Sequence, residues 1–301
     1  MNPTTTTPTP SLAQPASVPE QGRSAQYDAF HAARARTKLV ASLYAQAMGE
    51  DYPAEIAASS SCDWPLLGLL TARLRLRPGQ VLVDAGCGAG GIGLWLARAL
   101  AVRLAGFDLS PVAAAQATAR RARFLGRAAD RAVFHVGELE RTGLPAGSAH
   151  GIVCVDALGG AADRGAALRE LGRVLAPGGR LIVTRTLRRG TDPAWHEQFA
   201  AAGLTQEHLD ERPGEPATWE RLYQLWIAHA DQLRRELGEA AAENMLREAH
   251  QKLPTLRGRR AVLLTLRRLP SDPAGMRAAD RMAARGRETG GRPVPEERTQ
   301  Q

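Results

Sequence analysis

From residue 79 onward, short apolar runs rich in Val, Ile and Leu alternate with longer segments whose apolar positions recur at helical spacing. Strand, helix and strand in this order predict right-handed crossovers, and therefore an α/β fold with a mostly parallel sheet covered by helices on both faces. The runs that we predict as the seven strands are 81–85, 102–107, 132–136, 151–155, 180–186, 203–210 and 261–267.

Helical segments also precede the first strand. Residues 27–48 carry apolar residues at helical spacing. A second helix is predicted at 64–76, because Asp63 is a good N-cap and Pro65 falls in the first turn, where its missing N–H costs nothing. We predict that 27–78 form an N-terminal helical cap.

Another helical region interrupts the main domain, which we place at 79–268. Residues 217–256 contain one or two predicted helices that form a lid inserted before the last strand. An apolar stripe along the first of these helices either roofs a ligand pocket or packs against the domain or a second copy of the chain in a homodimer. The stripe consists of Trp219, Leu222, Tyr223, Trp226 and Ile227.

Charge is concentrated near the C-terminus. The formal net charge is +8, and eleven Arg but only five acidic residues stand from Arg257 onward. We predict a disordered basic tail at 269–301, with nucleic-acid binding as the alternative, and a disordered Thr/Pro-rich leader at 1–26. The remainder of the chain is nearly neutral and lacks the basic groove that a nucleic-acid substrate requires.

The cysteines favour a reducing compartment. Cys62, Cys87 and Cys154 are odd in number and form no Cys-x-x-Cys pair, so neither a disulfide framework nor a metal site is predicted. No run reaches the roughly 18 to 20 apolar residues of a membrane span, and the N-terminus lacks the regions of a secretory signal. We predict a cytoplasmic protein without a membrane partner.

The most informative segment is VLVDAGCGAGGIGLWLARAL at 81–100, where a strand leads through alternating glycines into a helix. Glycine permits positive φ and removes the Cβ that keeps a ligand from the backbone, so this is a nucleotide-cofactor turn. Gly88-x-Gly90-x-x-Gly93 also fits a dinucleotide fingerprint. However, Asp84 at the strand end would repel a phosphate and attract a cationic ligand, such as the sulfonium and amine of S-adenosylmethionine.

With this turn, the sequence resembles the class I S-adenosylmethionine-dependent methyltransferases from about residue 40 to 268. Asp84-x-Gly86-x-Gly88-x-Gly90 is similar to the family's first motif, which lines the methionine end of the cofactor. LRELGRVLAPGGRLIV at 168–183 is similar to a helix, turn and strand common in the family. The resemblance implies a Rossmann-like sheet and S-adenosylmethionine as cofactor.

The same resemblance implies roles for residues at the ends of three further strands. Asp108, with Leu109 beside it, matches the acidic residue that holds both ribose hydroxyls. Glu138 matches the acceptor for the adenine amino group, with the Leu139 backbone alongside, and Asp156 stands where the family approaches methionine and substrate. The alternative for Asp108 is a helix N-cap, although Ser110 is equally suited to cap. Glu138 could instead be a solvated loop charge.

Methyl transfer from a sulfonium is an in-line displacement, for which placement of the acceptor is the main requirement. A base is needed only for a hydroxyl or a protonated amine. The candidates are Tyr52, His196 and His229, with His31 and Tyr44 on the N-terminal segment; none stands in a diagnostic motif.

Motifs for methylating DNA bases, and a catechol-type magnesium site, are missing from the sequence. We predict a small-molecule acceptor with an O or N atom, of the kind modified in actinobacterial secondary metabolism. The alternatives are an NAD(P)-dependent oxidoreductase, a non-catalytic cofactor-binding module and an RNA-modifying enzyme that uses the Arg-rich tail.

Overall fold

A computed structural model describes residues 20–190 and 195–269. The helices are α1 (Glu20–Ala35), α2 (Leu39–Met48), α3 (Trp64–Leu74), α4 (Gly91–Ala99), α5 (Pro111–Leu125), α6 (Arg164–Val174), α7 (Trp195–Ala201), α8 (Glu215–Ala228), α9 (Ala230–Leu237) and α10 (Glu239–Lys252). The strands are β1 (Val81–Ala85), β2 (Arg103–Asp108), β3 (Ala132–Val136), β4 (Ala149–Cys154), β5 (Leu175–Arg188), β6 (Leu204–Glu211) and β7 (Arg259–Arg268).

The predicted α/β sheet is confirmed. Its seven strands lie in the order β3-β2-β1-β4-β5-β7-β6. The strands from β1 to β5 pair in parallel, whereas β7 runs antiparallel to both β5 and β6. The central strands are apolar on both sides because helices cover both faces, and four of the five residues of β1 are buried.

The N-terminal segment differs from its prediction in two ways. The helix predicted at 27–48 is two helices, since the Thr37 hydroxyl accepts the Leu39 N–H at 2.9 Å and starts α2 anew. The predicted leader is wrong over 20–26, which belong to α1, because α1 docks on the sheet: the Ser24 hydroxyl donates to the Leu109 carbonyl at 3.2 Å. Residues 1–19 lie outside the described residues.

The inserted region holds three helices rather than one or two. Helix α8 ends at His229, and α9 ends at Gly238, which has a φ of 87° that favours glycine. The predicted stripe is mostly buried: Leu222, Tyr223 and Trp226 join α2, α9 and α10 in a helical cluster. This stripe therefore packs within the chain, and the homodimer stays a prediction.

The helical cluster unites the two regions that the sequence separates. Helices α1 and α2 pack against the inserted α8–α10 around Tyr44, which is fully buried and in edge contact with Trp219 and Trp226. Helix α3, predicted as part of the cap, packs on the sheet instead. Within the described ranges no helix has the length and apolarity to cross a membrane. The predicted basic tail lies outside those ranges from residue 270 onward.

Candidate active site

A cavity of about 430 Å³ opens at the carboxyl ends of β1, β2 and β4, under α1. This edge of an open parallel sheet is where α/β proteins bind their ligands. Most of the site residues predicted from the sequence line it, namely Gly86, Gly88, Asp108, Leu109, Glu138, Leu139 and Asp156.

The turn after β1 brings bare backbone to the cavity. Gly86 and Gly88 have φ values of 73° and 51°. A Cβ on Gly86 would stand 2.4 Å from the Ala157 Cβ, so glycine is required there. The Gly86 N–H donates to the Phe107 carbonyl at 2.9 Å, which fixes the turn against β2.

Gly90 serves the fold rather than the cavity. It lies at the start of α4 with a φ of 75° and does not line the cavity wall. A Cβ there would approach the Ala117 Cβ to 2.7 Å and the Phe134 ring to 3.1 Å. Gly90 therefore allows close packing of the turn against α5 and β3, and its cofactor role stays a prediction.

Asp84 also lies behind the wall. It is 2% exposed, and its Oδ2 accepts the Gly93 N–H at 2.9 Å, so the carboxylate holds the first turn of α4. Burial raises the pKa of Asp84 to about 7, and the hydrogen bond from Gly93 opposes that rise. The Asp84 side chain thus points under the helix and off the cavity wall, and its attraction for a cationic ligand stays a prediction.

Asp108 occupies the position predicted for a ribose-binding carboxylate. Its Oδ2 accepts the Gly88 N–H at 2.8 Å and its Oδ1 accepts the Ser110 N–H at 2.9 Å. The Ser110 hydroxyl accepts the Ala113 N–H, so Ser110 rather than Asp108 caps α5. Each Asp108 oxygen thus retains a lone pair for a ligand hydroxyl.

The loop after β3 contributes the next part of the wall. Glu138 and Leu139 both line the cavity, and Leu139 is 9% exposed, with its side chain in the core beneath the sheet edge. The two residues thus lie on one part of the wall, and their contact with a ligand ring stays a prediction.

Asp156, after β4, is held in an uncommon backbone conformation with φ of 55°. Its carboxylate accepts the Ser61 N–H at 2.6 Å, the Ser61 hydroxyl at 3.1 Å and the Thr184 hydroxyl at 2.8 Å. The side chain nevertheless remains exposed on the cavity wall. These bonds orient the carboxylate before any ligand arrives.

Behind Ser61 stands a buried ionic network that the sequence did not indicate. Arg212, 6% exposed, donates to the Ser61 carbonyl at 2.9 Å, to Asp63 at 2.8 Å and to Glu215. Burial raises the pKa of Glu215 to about 7, against the lowering effect of Arg212. The network ties the start of α8 to the loop that holds Asp156.

The sequence predicts an N-terminal helical cap over the cofactor, but of the α1 residues that face the cavity it named only His31 as a candidate. Tyr27, Phe30, His31 and Arg34 project from one face of α1 onto the cavity. Their spacing of i, i+3, i+4 and i+7 is the available sequence signal, but on its own it indicates only a packed helix. Burial lowers the pKa of His31, although the Asp108 charge opposes this.

The predicted catalytic candidates lie elsewhere. Tyr52 packs against the helical cluster, His196 is exposed on α7, and His229 places Nδ1 2.8 Å from the Leu225 carbonyl at the end of α8. None of the three lines the cavity. Tyr44 is buried among aromatic rings, and burial raises its pKa to about 12. Of the histidines and tyrosines named from the sequence, His31 alone reaches this cavity.

Part of the chain that forms the cavity is similar to known methyltransferases. Residues 83–183 match a methyltransferase domain. The chain is 30% identical over 150 residues to the methyltransferase GfsG of Streptomyces halstedii, a match that covers 48% of this chain and 53% of that protein. The chain thus spans about half the length of this relative.

Solved structures share the fold. The [4+2]-cyclase SpnF has a TM-score of 0.67 at 22% identity, covering 85% of this chain and 98% of that one. A methyltransferase from Geobacter sulfurreducens bound to S-adenosylhomocysteine has a TM-score of 0.54 at 20% identity, covering 76% and 98%. At sequence identities of 20–22%, these similarities show a shared fold and nothing about the reaction.

Proposed function

We propose that this chain is a class I S-adenosylmethionine-dependent methyltransferase that transfers the methyl group of that cofactor to an oxygen or nitrogen atom of a small molecule. A methyltransferase domain matches its residues 83–183. The observation that carries the proposal is the cavity itself. It joins a wall of bare backbone at Gly86 and Gly88 to two carboxylates, Asp108 and Asp156, that are already fixed by hydrogen bonds.

The residues fit S-adenosylmethionine end to end. Asp108 has free lone pairs for ribose hydroxyls, and Glu138 with Leu139 borders the place for the adenine. Gly86 and Gly88 leave room beside the backbone for the methionine part, and Asp156 offers a negative charge to its ammonium group. The sulfonium donor is cationic, so an acidic wall stabilises it where a phosphate would be repelled.

The chain's own residues mainly position and shield the reactants. The bound cofactor supplies an electrophilic methyl group, and the acceptor must meet it in line at about 3 Å. Helix α1 covers this part of the cavity. Where the acceptor is a hydroxyl, His31 and Asp156 are the groups on the wall that could take its proton.

A small acceptor suits the size and charge of the cavity. Its volume of about 430 Å³, which the cofactor and the acceptor would share, falls in the range of small-molecule sites. Four carboxylates, Asp108, Glu138, Glu140 and Asp156, lie on its wall and disfavour a polyphosphate chain. Secondary metabolism as the setting of the reaction stays a prediction from the sequence.

Calorimetry tests the cofactor part of the proposal. We expect S-adenosylhomocysteine to bind and NAD not to bind, because the carboxylates on the cavity wall would repel the pyrophosphate of NAD. Binding of NAD alone would overturn the proposal. Incubation with S-adenosylmethionine and a panel of phenols, amines and aglycones, followed by mass spectrometry for a methyl addition, then tests the acceptor class.

A further inference from the structure

One cation on the cavity wall is left partly unsatisfied. Arg34 lies on α1 one turn beyond His31 and lines the cavity. Its guanidinium stacks on the Phe30 ring, with Cζ 3.8 Å from the ring centroid. Its Nε and Nη1 are shielded from solvent and have no hydrogen-bond partner among the described residues. Buried donors of this kind carry a large desolvation cost unless an acceptor arrives.

The neighbours of Arg34 do not neutralise it. Tyr44 and Glu248 raise the pKa of the guanidinium, Glu248 only through its charge. Glu248 in turn accepts the Tyr223 hydroxyl at 3.1 Å. Burial outweighs these effects and lowers the pKa of Arg34. In the part of the chain that the structure describes, the guanidinium of the partly exposed Arg34 therefore borders the cavity without a carboxylate partner of its own.

Arg120, the other arginine on the wall, shows the contrast. Its Nη1 donates to the Ala89 carbonyl at 2.8 Å, and its Nη2 donates to the Ile56 carbonyl at 2.7 Å. Arg120 thus ties the glycine turn to the preceding loop, and its terminal nitrogens are occupied. Arg34 differs because its free nitrogens have no such structural use.

The position of Arg34 favours the acceptor over the cofactor. His31 stands over the glycine turn, 3.5 Å from where a Cβ on Gly88 would lie. Arg34 lies one turn farther along α1, beside Tyr44 of the helical cluster. The cofactor's own carboxylate could be held instead by the first N–H groups of α4, since Gly91 and Ile92 line the cavity.

We propose that Arg34 binds a carboxylate of the methyl acceptor, so that the acceptor is a small organic acid. A carboxylate forms short, charge-assisted hydrogen bonds with a guanidinium and would remove the unpaired charge. The inference rests on the proposed methyl transfer, because it assigns the substrate class of that same cavity.

The test uses benzoate as a carboxylate probe and benzamide as its neutral match, at constant ionic strength. Protein loaded with S-adenosylhomocysteine is followed by its thermal unfolding midpoint, as the wild type and as Arg34→Met. We expect benzoate to raise the midpoint of the wild type and to leave Arg34→Met unmoved, and benzamide to affect neither. No response of the wild type to benzoate, or an equal response of Arg34→Met, overturns the proposal.

Two further variants separate binding from folding. Arg36→Met removes an exposed arginine just after α1 and should respond to benzoate like the wild type. Arg34→Lys keeps the charge but loses the planar fork, and we expect roughly tenfold weaker benzoate binding, the loss of about one charge-assisted hydrogen bond. If Arg34 only supported the fold, Arg34→Met would unfold at a lower temperature without ligand; we expect its midpoint to be unchanged or higher.

Calorimetry keeps the two proposals apart. If S-adenosylhomocysteine does not bind the wild type, the proposed function fails. If it binds but benzoate does not, only the inference on Arg34 fails. If Arg34→Met loses affinity for S-adenosylhomocysteine while keeping affinity for 5′-methylthioadenosine, which lacks the amino-acid part, Arg34 holds the cofactor's carboxylate and the acceptor assignment is overturned.

Discussion

At the scale of single residues, Asp108 carries the most specific expectation for ligand binding. We expect Asp108→Ala to weaken S-adenosylhomocysteine binding by about 1–3 kcal/mol, because ligand hydroxyls lose a charged partner and the Gly88 N–H loses its acceptor. Calorimetry measures the change. Asp130→Ala, at an exposed position before β3, is the matched control. Equal affinities for the wild type and Asp108→Ala would contradict the assignment.

The glycines of the turn make a second residue-scale prediction. We expect Gly90→Ala to lower the free energy of unfolding by about 1–3 kcal/mol, since the added Cβ would overlap Ala117. Gly88→Ala meets only the edge of His31, at 3.5 Å, so it should unfold closer to the wild type. Gly88→Val should remain folded yet block the ligand. Urea unfolding gives the comparison, and an equal loss for Gly88→Ala and Gly90→Ala would refute the separate roles.

The sequence indicated the residues of the turn but not their separate roles. Alternating glycines and an acidic residue at the strand end predict a cofactor turn, and Gly86 and Gly88 of this turn line the cavity. That Asp84 and Gly90 lie behind the wall depends on how α4 and α5 pack, and the motif carries no signal for that. The position of Asp108 was easier to predict, because a carboxylate at the carboxyl end of a parallel strand necessarily reaches the sheet edge.

At the scale of elements, Asp84 links the start of α4 to the pH dependence of stability. Its pKa is raised by burial to about 7, so the folded state binds a proton more tightly than the unfolded state. Its stabilising contribution is complete below about pH 4 and is lost as the pH rises through 7. At about 1.4 kcal/mol per pH unit the loss is at most about 4 kcal/mol.

Asp84→Asn tests this, because the amide oxygen still accepts the Gly93 N–H but does not titrate. Unfolding free energies of the wild type and the variant, measured by urea between pH 4 and 8, should diverge in slope, with the wild type losing more as the pH rises. Parallel curves would show that Asp84 does not control the titration.

A second element-scale prediction concerns the tie between α8 and the loop before α3. Arg212→Met leaves Glu215 and Asp63 without their buried partner, so we expect a loss of about 3–5 kcal/mol in unfolding free energy. Adding Glu215→Gln to Arg212→Met should recover part of the loss, because one buried charge disappears. Urea unfolding of the two single variants and the double variant measures the coupling, and strictly additive losses would argue against the network.

Elements were predictable to different degrees for physical reasons. The seven strands follow from apolar runs, because a strand buried on both faces has little choice of residue. The number of helices in the insertion and the extent of α1 could not be predicted, because both depend on contacts between distant segments. The bond from Ser24 to Leu109 and the packing of α2 on α8 are examples.

At the scale of the whole molecule, the question is whether the Arg-rich C-terminal segment takes part in ligand binding. The last strand ends at Arg268, and every residue placed on the cavity wall stands before residue 162. We therefore expect a chain ending at residue 269 to bind S-adenosylhomocysteine with unchanged affinity and to methylate a small acceptor at an unchanged rate. An RNA substrate held by the six arginines beyond residue 269 would predict the opposite. Calorimetry and turnover of the shortened chain, each measured at low and high salt, decide between the two. A loss of turnover on shortening, greatest at low salt, would identify the acceptor as a nucleic acid rather than a small molecule in the cavity.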